Sequence, residues 1–166
     1  MSDSKPDLDL ENTLYLDLKD GRVVIQLRPD LAPMHVAQIK TLVRRGFYDG
    51  TVFHRVIEGF MAQGGDPTGT GTGGSDLDNI RAEFADSGRF VRGTCGMARS
   101  QSPHSANSQF FIMFEPAPHL NGQYTIWGQV VEGMEFVDQI KRGAGGSGMV
   151  ANPDKIETFR VAADAG

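Results

Sequence analysis

Residues 13–27 alternate, turn and alternate again, and that pattern limits the chain to a fold built from short paired strands. Leu14, Leu16 and Leu18 share one side of the first run, with Tyr15 and Asp17 on the other. A period of two is that of a half-buried strand. Asp20-Gly21 is a strong turn dipeptide, and Arg22-Val23-Val24-Ile25-Gln26-Leu27 resumes the strand character, so a β-hairpin is expected. Similar runs recur at 51–56, 59–63, 90–91, 96–99, 109–113, 125–130 and 156–162. Helical spacing occurs in two places. Val36, Ile39 and Val43 recur within 34–45, where Gly46 ends the run and Arg44 and Arg45 suit the C-terminal dipole. Met134, Val137 and Ile140 recur within 133–142. Many short strands with two helices predict a mainly β protein, a barrel or sandwich with helical caps.

The 166 residues suit one domain with a sizeable core, and no repeat or shift in composition divides them. Residues 1–12 are polar and acidic and read as a flexible arm ahead of a single domain over 13–166. A net charge of −5 argues against general nucleic-acid binding, which needs a basic face. The one cysteine, Cys95, excludes an intramolecular disulfide and a multi-cysteine zinc site. It reads as a small buried apolar residue. No stretch approaches the roughly 20 apolar residues of a membrane-spanning helix. The first residues lack the charged and apolar regions of a secretory signal, so a cytoplasmic location is expected.

Several motifs can be set aside. Gly69-Thr70-Gly71-Thr72-Gly73-Gly74 matches the G-x-G-x-x-G of dinucleotide sites. Such a fingerprint must leave a strand and open a helix inside a βαβ unit. Here it follows a Gly-Gly-Asp-Pro turn with no parallel crossover after it, so a surface loop is the simpler reading. No Lys-Ser/Thr follows the glycines, which removes a P-loop. His35, His54, His104 and His119 show no metal-ligand spacing. Ser147 lies in Gly-Gly-Ser-Gly, but a nucleophile elbow needs glycine where Met149 stands.

Residues 53–66 then stand out. Arg55 sits among Phe53, Val56, Ile57, Phe60 and Met61, and Gln63 closes the run before a Gly-Gly turn. Burying an unpaired charge is expensive, so an arginine at the edge of an apolar pocket can be a cation aimed at a substrate. Two more regions concentrate unusual residues: 97–112, with Ala98, Arg99, Gln109 and Phe111, and 119–124, with His119, Leu120 and Tyr124. The ordinary readings stay open at this point. Phe60, Met61, Phe111 and Leu120 can be plain core, Arg55 a salt-bridged surface residue, and Gln63 and Gln109 partners for turn backbone.

Phe53-His54-Arg55-Val56-Ile57, Gly59-Phe60-Met61-Ala62-Gln63-Gly64-Gly65-Asp66 and Ser108-Gln109-Phe110-Phe111-Ile112 resemble strings of the cyclophilins, the cyclosporin-binding class of peptidyl-prolyl isomerases. Leu120-Asn121-Gly122 and the strand containing Gly128 follow in the same order, so the resemblance runs from about Thr13 to Ala162. It implies an eight-stranded antiparallel β-barrel capped by two α-helices, with an active groove on the outer face. It also implies catalysis of rotation about X-Pro bonds, which assists protein folding. On this resemblance Arg55 and Gln63 are catalytic. Phe60, Met61, Phe111 and Leu120 would hold the proline ring. Main-chain groups near Ala98 and Arg99 would hold the peptide, and His54 and Gln109 would border the groove. No nucleophile, metal or cofactor is needed. The partners would be proline-containing peptides and client proteins, bound by a monomer.

Three positions depart from the pattern of animal cyclophilins, which carry tryptophan, histidine and asparagine where this chain has His119, Tyr124 and Arg99. His119 offers less surface, so weak cyclosporin binding is expected with isomerase activity retained. Tyr124 can still pack on a proline ring, and tyrosine there suggests a bacterial-type member. Arg99 brings a charge to the groove edge that would favour acidic clients; the alternative is a solvated side chain. A competing reading makes the chain a proline-peptide binding module or chaperone whose catalysis is incidental. That reading predicts that Phe60 and Phe111 matter while Arg55 is dispensable.

Overall fold

A computed structural model describes residues 9–85 and 88–165. Its strands are β1 (Thr13–Leu18), β2 (Gly21–Leu27), β3 (Arg55–Ile57), β4 (Met61–Gly64), β5 (Thr94–Met97), β6 (Phe110–Met113), β7 (Ile126–Glu132) and β8 (Thr158–Val161). Its α-helices are α1 (Pro33–Arg44) and α2 (Met134–Val137). The hairpin forms, but its turn is Lys19-Asp20: Gly21 already pairs with Leu18 as the first residue of β2. The arm expected over 1–12 lies outside the described residues as far as residue 8. Leu10–Asn12 form a 3-10 turn whose Glu11 pairs with Lys40 and Arg44 of α1.

The strands make one eight-stranded sheet in the order β3-β4-β6-β5-β7-β2-β1-β8, with every pairing antiparallel. The sheet curls until its edges, β3 and β8, approach one another. Irregular chain bridges the seam. Gly50 N–H donates to Ile156 O at 2.8 Å, Ile156 N–H to Thr51 O at 2.8 Å, and Phe53 N–H to Asp154 O at 2.9 Å. The run 51–56 was expected as a strand, but its first part forms this seam and only Arg55–Ile57 joins the ladder.

Alternation sorts the side chains of each strand to two sides. Val56, Ala62, Cys95, Met97, Phe110, Ile112 and Trp127 point inward with Leu14, Leu16, Val23 and Ile25. Met61, Phe111, Met113 and Ile126 form a second apolar cluster on the outer face, completed by Phe90, Ala117 and Leu120. Helix α1 buries Val36, Ile39, Leu42 and Val43 on the inner core. Its N-cap residue Ala32 has no capping side chain. Glu83 serves instead, accepting from Met34 N–H at 3.1 Å and His35 N–H at 2.8 Å. The second helix was expected over 133–142 but is helical only at Met134–Val137. Beyond it the bonds run to the third residue back, as Gln139 N–H to Phe136 O and Ile140 N–H to Val137 O. Such tighter turns still bury Val137 and Ile140. Residues 90–91 are loop rather than strand.

Candidate active site

Strand register creates the site. Arg55 pairs with Gln63, Gln63 with Phe111, and Phe111 with Gly96. These residues therefore form one row across β3, β4, β6 and β5, on the outer face. A Cβ at Gly96 would lie 2.6 Å from Phe111 Cζ and 2.7 Å from Phe90 Cε1. Glycine lets the Phe111 ring lie over β5, where it stacks on Phe90 at 5.7 Å and meets the Tyr124 edge at 5.8 Å. Phe60 faces His119 at 6.0 Å. Together Arg55, Phe60, Met61, Gln63, Ala98, Arg99, Phe111, His119, Leu120 and Tyr124 line an open groove of about 360 Å³. Met61, Phe111 and Leu120 are buried as its floor, Phe60 is half-buried beside them, and His119 is exposed at the rim.

A chain of hydrogen bonds fixes the polar wall. Arg55 donates from Nε to Ser147 O at 3.0 Å and from Nη1 to Gln63 Oε1 at 3.2 Å. A guanidinium can only donate, so Gln63 must turn its oxygen to Arg55 and its nitrogen away. Gln63 Nε2 then donates to Gln109 Oε1 at 3.0 Å. Gln109 Nε2 in turn donates to Gly71 O at 3.0 Å and Gly73 O at 2.9 Å. Loop 66–73 is itself held by Asp66, whose carboxylate accepts from Gly71 N–H, Gly73 N–H and Thr68 N–H at 2.6, 3.0 and 2.8 Å. Burial pushes the Asp66 carboxyl up, but the donors from Gly73, Thr68 and Gly71 outweigh it and hold it at about 2.

The geometry adds detail at three of the expected positions. His54 does not border the groove. It is buried behind the glycine loop, with Nε2 only 3.3 Å from where a Gly71 Cβ would stand. Burial pulls its imidazole below the ordinary range; Asp66 opposes this and Arg55 adds to it. The Ala98 N–H is taken by Gln109 O at 2.9 Å, which withdraws it from any bound peptide. Arg99 lines the groove with its guanidinium folded inward. It lies 4.5 Å over the Tyr124 ring and donates to Gln123 O at 2.8 Å and Ser100 O at 2.9 Å. Gln109 sits beside the groove, in an adjoining polar pocket of about 420 Å³ lined also by Gly71, Ser75, Ser105 and Asn107.

Gly96, Phe90, Asp66 and Ser147 belong to the site, though no role in it was expected for any of them from the sequence. Gly96 carries a signal in principle, since a glycine inside a strand often marks close approach of another group. Ser147 acts through its carbonyl, which no residue type announces. Among the described residues, no group of three or more His, Cys, Asp or Glu could hold a metal ion. None of their helices is long and apolar enough to cross a membrane.

The fold and site define a curled antiparallel barrel with an apolar groove and a fixed cation at its rim. The family model for cyclophilin type peptidyl-prolyl cis-trans isomerases matches residues 13–161. A probable peptidyl-prolyl cis-trans isomerase of Brucella suis is 58% identical, over 94% of this chain and 85% of that protein. Peptidyl-prolyl cis-trans isomerase B of Bacillus subtilis is 44% identical, over 79% of this chain and 92% of its own. Among solved structures, a cyclophilin from Hirschia baltica superposes with a TM-score of 0.86 at 28% identity, covering 96% of this chain and 77% of that one. A cyclophilin type isomerase of Cryptosporidium parvum, solved in the presence of the dipeptide Ala-Pro, gives 0.83 at 30% identity, covering 90% and 98%. The chain belongs to the cyclophilin-type peptidyl-prolyl cis-trans isomerases.

Proposed function

We propose that the groove binds proline-containing peptides and that Arg55 drives rotation about the X-Pro bond. Amide resonance sets a barrier of roughly 18–20 kcal/mol and makes the uncatalysed turn take tens of seconds. Rotation breaks the conjugation and leaves a lone pair on a pyramidal prolyl nitrogen. A donor aimed at that nitrogen binds the twisted state better than either planar state, which lowers the barrier. The observation that carries this reading is the Arg55–Gln63 bond at 3.2 Å beside the apolar floor. Arg55 Nε is occupied by Ser147 O, so the Nη groups face the task of donating to substrate. Gln63 keeps one Nε2 hydrogen beyond its bond to Gln109, and that hydrogen holds a substrate carbonyl as the fixed side of the rotation. Phe60, Met61, Phe111 and Leu120 take the proline ring. Client chains with exposed X-Pro bonds are the substrates, and their folding is the process assisted.

Removing the donor tests the reading. Arg55→Ala should lose about 2–4 kcal/mol of transition-state stabilisation, or about thirty- to a thousandfold in kcat/KM, in a protease-coupled assay on X-Pro peptides. A variant that isomerises at the parent's rate would leave only the binding-module reading. The joint presence of Arg55 and Gln63, bonded to each other, is what disfavours that alternative, because a pocket that merely binds needs only its apolar floor.

A further inference from the structure

We propose that the glycine-dense loop 143–149 aims Arg55, with Gly143 as the positioning residue; this rests on Arg55 being the catalytic donor. Arg55 lies on β3, a three-residue strand at the edge of the sheet. One side of β3 pairs with β4. The loop supplies the other side. Val56 N–H donates to Gly148 O at 2.8 Å, and Gly143 N–H donates to Val56 O at 2.8 Å. Met149 forms an isolated antiparallel bridge with Arg55 itself. The two limbs of the loop therefore grip Val56 from one side and deliver the Ser147 carbonyl to Arg55 Nε at 3.0 Å.

That carbonyl does what a carboxylate there would not. It fixes one edge of the guanidinium while Gln63 Oε1 fixes another, and it leaves the positive charge uncancelled. The loop closes only because residue 143 lacks a side chain. A Cβ at Gly143 would lie 1.9 Å from Gly148 O and 2.2 Å from Gly148 C. A methyl group there pushes Gly148 outward and carries the neighbouring Ser147 carbonyl off Arg55. Gly146, in the same loop, has open space around its own Cβ position, so a methyl group there disturbs nothing.

The test compares Gly143→Ala with Gly146→Ala. Gly143→Ala should lower kcat/KM on an X-Pro peptide about ten- to a hundredfold, as small misplacements of a reacting group do, with peptide affinity by NMR titration held within about twofold. Gly146→Ala should match the parent. In the Arg55→Ala background, Gly143→Ala should cost less than about twofold more, because its effect runs through Arg55. The Arg55 Nε–H resonance should exchange slowly with solvent in the parent, where Ser147 O holds it, and fast in Gly143→Ala. An equal loss with and without Arg55 would overturn the proposal, and so would a protected Nε–H in the variant. If Gly143→Ala fails to fold, an ester in place of the 147–148 peptide bond weakens the Ser147 carbonyl as an acceptor and keeps every side chain. It should lower kcat/KM in the same direction, and parental activity would overturn the loop's role. Should Arg55→Ala itself turn over normally, Arg55 as catalyst fails, while Nε–H exchange still tests the loop alone.

Discussion

Arg55 and Gln63 act as one unit, because each fixes the other's orientation. Gln63 gives its oxygen to Arg55 and its nitrogen to Gln109, so a flipped amide would set donor against donor at the guanidinium. Residue type alone marked these positions, but the direction of each amide came from the network. Arg99 shows the limit of residue type. A charge at the groove edge suggested acidic clients, yet its donors go to the carbonyls of Gln123, Ser100 and Gln101 and its plane covers Tyr124. It ties the loop after β5 to the loop before β7 and so helps hold Tyr124 against Phe111. His119 is the residue at which cyclosporin affinity should change. It is exposed at the rim and offers only a small ring beside Phe60. Tryptophan there adds apolar area and places its indole N–H further out over the groove, together worth about 1–2 kcal/mol. His119→Trp should tighten cyclosporin binding roughly five- to thirtyfold, measured by calorimetry. Nanomolar affinity in the parent, or no gain in the variant, would contradict this role.

Two elements are held by side-chain carboxylates in place of regular backbone partners. Helix α1 begins at Pro33 without a capping side chain of its own, and Glu83 closes it. The same carboxylate meets His35 Nδ1 at 2.5 Å, so the imidazole's proton lies on that nitrogen and Nε2 is left without a partner. Glu83→Ala removes the cap and strands a buried imidazole N–H. The cost should be about 2 kcal/mol, or roughly 4–8 °C in Tm by calorimetry. An unchanged Tm would mean that solvent replaces the cap without loss. Loop 66–73 is the second case. It offered a nucleotide-like glycine pattern, but its N–H groups point to Asp66 and its carbonyls to Gln109. An internal carboxylate already fills the place an anionic ligand would occupy, which is why the loop supports the groove instead of binding phosphate.

For the whole molecule, the buried titratable groups set a pH profile of stability. His35 and His54 are both held below their ordinary range, chiefly by burial; Glu83 opposes the shift at His35 and Asp66 at His54. The unfolded chain therefore binds protons first as pH falls past about 6.5, and stability declines from there. Carboxylates act in a lower window. Asp66, held at about 2, contributes stability that is complete above about 4 and is lost as pH falls through about 2. Trp127, the only tryptophan, is fully buried and reports loss of the core. Urea midpoints followed by its fluorescence should fall in two stages, the first beginning below about pH 6.5 and the second below about 4. A flat profile between 7 and 5 would show that neither histidine is held neutral by the fold.

The sequence by itself determined the first hairpin and the buried side of its leading strand, most of the remaining strand segments, the helix over 34–45 and the residue types of the groove. Those follow from periodicity and from strings that survive intact, because burial and side-chain chemistry act through each residue's own identity. It gave the second helix too long and the first run after α1 too much strand, since both lie where tight turns and the barrel seam override local preference. Only the tertiary structure decided that Arg55, Gln63, Phe111 and Gly96 share one row, that His54 turns away from the groove, and that Ser147 holds the arginine. Register and backbone carbonyls are the reason. Register depends on pairing between strands up to dozens of residues apart, and a carbonyl is the same group in every residue, so neither is written in the identity of any one of them.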